Sequence, residues 1–178
     1  LLGTVLGAVP MQADTSVRAY SSSSSSSKDN FTITKYAVDM ELGRDSEKRS
    51  TLKTKLTITA NFPPEQNHGL APEFVTRYKG HHTSFALGSV QDEHGNDYEY
   101  SWSGNTLRIG NKDTYVSGSK TYVITYTQRD VTWNYGDTQK NEFYWDVIGT
   151  SWRVPISNAS ARLKLSPELA AISRTTPQ

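Results

Sequence analysis

The chain has 178 residues, with 19 Lys and Arg against 18 Asp and Glu, four histidines and no cysteine. This length fits one domain with tails and is enough to bury a core. The near-neutral charge leaves no basic stripe for nucleic acid and no acidic solvating block, and the lack of cysteine excludes disulfides, zinc thiolate sites, iron–sulfur clusters and a thiol nucleophile.

The chain opens on LLGTVLGAVPMQADT, an apolar run that reaches a small residue at Ala13. The pattern is that of the h-region and cleavage end of a signal peptide without its basic n-region, so residues 1–13 are expected to be a truncated signal or anchor remnant. A short buried helix is the competing reading. The run, about ten residues, is too short to cross a bilayer. Residues 14–30 contain SSSSSSSKDN, Ser21 to Asn30, a low-complexity linker that buries nothing. The chain does not begin with Met, and it is read as a fragment.

From Phe31 onward the hydrophobic period is two rather than 3.6. LKTKLTITANF sets Leu52, Leu56, Ile58 and Ala60 on one face and Lys53, Lys55, Thr57 and Thr59 on the other, the signature of a half-buried strand. YEYSW aligns Tyr98, Tyr100 and Trp102, TLRI adds Leu107 and Ile109, and the SGN between them is a hairpin signal. TYVITYT aligns Tyr122, Ile124 and Tyr126, and VTWNY aligns Val131, Trp133 and Tyr135. EFYWDVI aligns Phe143, Trp145 and Val147, and SARLKL aligns Ala161, Leu163 and Leu165. Gly, Pro, Asn and Asp cluster in the breaks, where turns need them. About eight to ten short strands are expected, and no helical stripe exceeds two turns. The expectation is an all-β domain over residues 31–168, an antiparallel β-sandwich of immunoglobulin-like architecture. Residues 169–178 read as a C-terminal tail toward a missing membrane segment.

Three motifs carry a family resemblance. Ile109-Gly110 precedes Ser117-Gly118 and the Tyr122, Ile124, Tyr126 strand; Glu142, Tyr144, Trp145, Asp146, Val147 and Gly149 form an E-x-Y-W-(N/D)-V-x-G run; and Trp152, Val154, Pro155 and Ile156 form W-x-V-P-I. Together they resemble the N-terminal extracytoplasmic domain of a bacterial family of predicted membrane proteins, domain of unknown function 2207, over residues 31–168. His68-Gly69 also resembles a family His-Gly pair soon followed by arginine, but here APEFVT intervenes before Arg77. The resemblance implies a signal or anchor, a β domain outside the membrane, then transmembrane helices and a low-complexity tail.

The candidate sites divide on geometry. Glu142 and Asp146 would stand about 13 Å apart along a strand, wide for a glycosidase pair. They read as an acid at a strand start and an acid bonding the next turn. Trp102, Trp133, Trp145 and Trp152 suit either sugar stacking or a sandwich core, and their alternation favours the core. Trp133 and Trp152 flank loops, so they join His68 and Arg77 as possible ligand contacts. His81 and His82 point to opposite faces of a strand and chelate poorly, and QDEHGND lacks the spacing of a calcium loop. There is no G-x-S-x-G elbow, P-loop or dinucleotide fingerprint. Asn30 and Asn158 begin glycosylation sequons.

The expectation is a non-catalytic binding or scaffolding domain, with no catalytic residues, metal or cofactor, tethered on the extracytoplasmic face of a bacterial membrane. Its partner is expected to be an envelope protein or cell-surface polymer rather than nucleic acid. The alternative is a carbohydrate-binding module or carbohydrate-acting enzyme of the cell envelope.

Overall fold

The structure, a computed structural model, describes residues 30–138 and 140–172. The expected signal remnant, nearly all of the serine linker and residues 173–178 lie outside the described residues. In chain order the elements are β1 (Thr32–Arg44), β2 (Ser50–Asn67), β3 (Arg77–Tyr78), β4 (His81–His82), β5 (Ser84–Gln91), β6 (Tyr100–Ser103), β7 (Thr106–Ile109), β8 (Val116–Arg129), β9 (Trp133–Tyr135), β10 (Lys140–Glu142), β11 (Ala159–Leu165) and one short helix, α1 (Pro167–Ile172).

Two-residue alternation builds the main sheet. In β1 Tyr36, Val38, Met40 and Leu42 are buried while Lys35, Asp39 and Glu41 are exposed. In β2 Leu52, Leu56, Ile58 and Ala60 are buried between exposed Lys53 and Lys55. The register aligns these faces: Ala161, Val38, Leu56, Ile124 and Val90 stand in one row across the strands. A slip of one residue would turn every apolar side chain of a strand to water, which is what fixes the pairing. The sheet order is β11-β1-β2-β8-β5, and three two-stranded ribbons, β3–β4, β6–β7 and β9–β10, complete the pairing.

The class is all-β, but the sheet is mixed rather than antiparallel, because β11 runs parallel to β1. A parallel neighbour requires a long connection rather than a hairpin. Here everything from β2 to the run before β11 lies between the two, and Tyr36 N donates to Asn158 O at 2.8 Å as the strands come together.

The apolar face of the sheet is covered by shorter pieces. β7 contributes Leu107 and Ile109 to the core, and the segment from Leu70 to Phe74 joins β7 through the bridges Leu70–Ile109 and Glu73–Thr106. Phe74 packs against Phe85 and Tyr126, with ring centroids 4.9 and 5.0 Å apart. Gln128, buried on β8, donates from Nε2 to Val75 O at 2.6 Å and Thr83 Oγ1 at 3.0 Å. Those bonds satisfy a polar group that would otherwise be costly to bury.

Two expected strands differ. EFYWDVI pairs only as far as Glu142, and residues 143–156 lack ladder bonds apart from the bridge of Ile156 to Ile33. Asp146 Oδ1 accepts from Gly149 N at 2.9 Å, and Gly149 has φ 76°, so the chain bends where the strand would have continued. The alternation survives without the ladder: Phe143, Trp145 and Val147 are half-buried against the core, and Tyr144, Asp146 and Ile148 are exposed. On β11, Leu163 and Leu165 are 45% and 39% exposed, because this strand forms the edge of the sheet and little packs over it.

Candidate functional site

Two glycines shape a broad cleft. His68-Gly69 and Ile109-Gly110 lie against each other, fixed by Leu70 N to Ile109 O at 3.1 Å and Ile109 N to Leu70 O at 2.8 Å. Gly69 and Gly110 have φ of 135° and 117°. A Cβ on Gly69 would fall 1.9 Å from Ile109 O, and one on Gly110 would fall 2.0 Å from His68 O. No side chain fits between such backbones, so both positions require glycine.

Around this contact opens a cleft of about 1020 Å³, lined among others by His68, Tyr100, Arg108, Tyr115, Trp152 and Arg153. The His68 ring stacks on Tyr115 at 4.5 Å and 28°, with Nδ1 3.0 Å from Thr114 O. Tyr100 and Tyr115 are 50% and 55% exposed. Trp152 is half-buried and meets Tyr36 edge to face at 6.2 Å, so the core holds one side of the indole. Arg108 stands between buried Leu107 and Ile109 on β7, so strand alternation sends it outward.

The charges of the cleft are unevenly engaged. Asp113 is paired with Lys112 at 2.7 Å, and Glu99 accepts from Asn111 Nδ2 at 2.8 Å. Arg108 and Arg153 have neither a carboxylate nor a hydrogen-bond acceptor among the described residues.

Of the candidate contacts, His68 and Trp152 line this cleft and Trp133 and Arg77 do not. Arg77, on β3, lies with Nη1 2.8 Å from His82 Nε2 and donates from Nη2 to Gly80 O at 2.9 Å. Trp133, on β9, stacks on His81 at 5.9 Å and 22°. It belongs to a second cluster built around Lys79, at the tip of the β3–β4 turn. Lys79 Nζ sits 2.6 Å from Glu142 Oε1 and 5.9, 5.7 and 4.5 Å from the ring centroids of Tyr78, Trp133 and Tyr135. Tyr78 and Tyr135 donate to the two Glu142 oxygens at 2.9 and 3.2 Å. Hydrogen bonds from Lys79 and then Tyr78 hold the Glu142 carboxyl below its usual range, and the bonds to Glu142 and Tyr135 push the Lys79 ammonium up.

Glu142 is thus committed to Lys79, while Asp146 bonds the following turn. In QDEHGND, Asp92 Oδ1 accepts from the amides of His94 and Asn96, both at 2.8 Å, which closes the turn after β5. No group of three or more His, Cys, Asp or Glu suited to a metal occurs among the described residues. The residues that sequence reasoning passed over are Arg108 and Arg153; the outward arginine of TLRI was the available signal for the first.

The family model described as "Predicted membrane protein (DUF2207) N-terminal domain" matches residues 32–177. The chain belongs to this family of predicted membrane proteins. The two motifs at residues 142–149 and 152–156 lie in the covering run, part of which lines the cleft. No curated protein matches the chain. Among solved structures, it is similar to an M1 zinc metallopeptidase from Deinococcus radiodurans, at 11% identity over 56% of this chain and 20% of that one, with TM-score 0.40. A two-domain M1 zinc metallopeptidase bound to L-arginine gives 12% identity over 78% of this chain and 33% of that one, with TM-score 0.46. Leukotriene A4 hydrolase from Saccharomyces cerevisiae gives 14% identity over 61% and 17%, with TM-score 0.38. The chain therefore spans a third or less of the length of these three structures. Among the described residues of this member no helix is long and apolar enough to cross a membrane.

Proposed function

We propose that the chain is a non-catalytic binding domain of a bacterial membrane protein, held on the extracytoplasmic face, with the cleft between His68, Arg108 and Trp152 as its binding surface. The family supports the membrane association, and the apolar opening run supports the outside placement. The observation that carries the binding reading is the cleft itself. Exposed tyrosines and two uncommitted guanidinium groups stand around a floor that the crossed glycines make rigid. Rings and arginines left open in a concavity of this size are the usual equipment of a recognition site.

The half-buried Trp152 gives the carbohydrate-binding alternative its support, because the indole packs on the core residue Tyr36 and also lines the cleft. For architecture, we read the β6–β7 ribbon, the Leu70–Phe74 segment and the 143–156 run as the reduced second layer of a sandwich over the main sheet.

Titration of the isotopically labelled chain with a solubilised cell-envelope polymer fraction tests the binding reading. Amide and indole shifts gathered on residues 66–71, 99–113 and 151–154 are expected. Shifts confined to the Lys79 cluster or to the polar sheet face would overturn it.

A further inference from the structure

We propose that the ligand of the cleft is an anionic glycan, recognised through its charge by Arg108 and Arg153 and through its ring faces by the aromatic side chains. The proposal rests on the reading of the cleft as the binding surface and adds the chemical class.

The argument begins with how this chain uses its arginines. Seven lie among the described residues. Arg49 is paired with Asp45 and Glu47, Arg129 with Asp45, and Arg162 with Asp39, while Arg77 is bonded to His82 and Gly80. Of the three without a partner, Arg44, Arg108 and Arg153, two line the one cleft. The acids beside them are already engaged, Asp113 by Lys112 and Glu99 by Asn111. Glu99 keeps its charge, but with Arg108, Arg153 and Lys112 against Glu99 and Asp113 the lining is net positive, and an incoming anion meets two open forks. A guanidinium binds a carboxylate or phosphate through two parallel hydrogen bonds, which gives both strength and orientation.

The second half of the argument is the ring surface. The stacked pair of His68 and Tyr115 offers a flat, exposed platform, and Tyr100 stands open in the same cleft. Planar apolar faces with a polar rim suit sugar rings, which carry C–H groups on one face and hydroxyls at the edge. Ser101 lines the same cleft and supplies an exposed neutral hydroxyl. An acidic peptide would use the arginines and leave the platform idle, and a neutral glycan would do the reverse. A charged sugar uses both.

The test uses the full chain and four probes: tetragalacturonate, its methyl ester, a phosphorylated mannose tetrasaccharide, and an acidic peptide of matched charge. Binding is followed by calorimetry and by the Trp152 indole signal. At least one anionic sugar is expected to bind in the cleft, and the uronate and phosphate probes show which anion is preferred. The methyl ester should bind about tenfold or more weakly than the acid, as loss of a charge-assisted pair requires. Arg108→Gln and Arg153→Gln should each weaken the preferred sugar by a similar factor, and Arg→Lys at either position should restore only part. Each variant is exposed and its melting temperature should match that of the parent. Equal binding of acid and ester, unchanged binding by the double Gln variant, or an equally tight acidic peptide would overturn the anionic-glycan assignment while leaving the cleft a binding surface. Absence of cleft shifts with both anionic sugars would overturn it as well. The binding reading itself falls only if the envelope polymer fraction also fails to shift the cleft.

Discussion

Gly69 and Gly110 are the residues on which the cleft depends most sharply. Each has positive φ and each faces a carbonyl at a distance no Cβ tolerates. Gly69→Ala and Gly110→Ala should each cost about 2 kcal/mol or more, from the backbone strain and the displaced partner strand together. Gly104 also has positive φ, but nothing lies within 4 Å of its missing Cβ, so Gly104→Ala should cost only about 1 kcal/mol. Denaturant unfolding of the three variants checks the ordering. Equal costs would mean that the crossing contributes nothing beyond conformation. Both glycines stand in short pairs, His-Gly and Ile-Gly, that the sequence shows 41 positions apart (69 to 110). Their contact is a long-range event and no local pattern announces it. The same holds for Arg108 and Arg153, which come from different elements and acquire meaning only in one cleft. His68 and Trp152 were legible, because a family pair and a loop-flanking indole marked them.

Glu142 and Lys79 tie the β3–β4 turn to β10 and make stability depend on pH. The folded Glu142 carboxyl titrates lower than the unfolded one, so its contribution is present above the unfolded carboxylate range and is lost as pH falls through the folded value. For Lys79 the sign reverses: its contribution is full below the unfolded lysine range and is lost as pH rises through the folded value. Melting temperature should therefore fall on acidification below about pH 4–5, and Glu142→Gln should flatten that part of the profile. An unchanged acid limb in Glu142→Gln would show that the pair contributes nothing to it.

At the scale of elements, the covering run 143–156 separates two things that sequence patterns merge. Its period of two correctly marks which side chains face the core, but it does not show whether a neighbouring strand is there to bond. Trp145 is only half-buried and stacks on Phe143 at 6.0 Å, whereas Ile124 is wholly enclosed in the centre of the sheet. Ile124→Ala should thus cost about 2–5 kcal/mol. Trp145→Ala should cost less than the 3–5 kcal/mol typical of an enclosed tryptophan, about 1–3 kcal/mol. Thermal or denaturant unfolding compares the two, and a larger loss at Trp145 would place the core's weight in the covering run. The long strands β2 and β8 were readable from their alternation. The parallel partner of β1 was not, since SARLKL carries the same period whether its face is buried or lies at an open edge, as it does here.

Across the described residues as a whole, the main sheet is one-sided. One face of the main sheet is the core, and the other presents Lys53, Lys55, Thr57, Thr59, Thr125 and Thr127 to water. A sheet with one polar face is one that water can cover on that side. Which side of the membrane the domain occupies can be read chemically, because these 178 residues contain no cysteine and an introduced thiol can be compared with the parent protein labelled in parallel. Glu93 is well suited: it lies in the turn after β5, its side chain is 52% exposed, and it neither lines the cleft nor belongs to the Lys79 cluster. In the membrane-bound protein carrying Glu93→Cys, a membrane-impermeant maleimide should label intact cells as fully as permeabilised ones. Labelling that requires permeabilisation would place the domain in the cytoplasm, and an envelope glycan could then no longer be the ligand of the cleft.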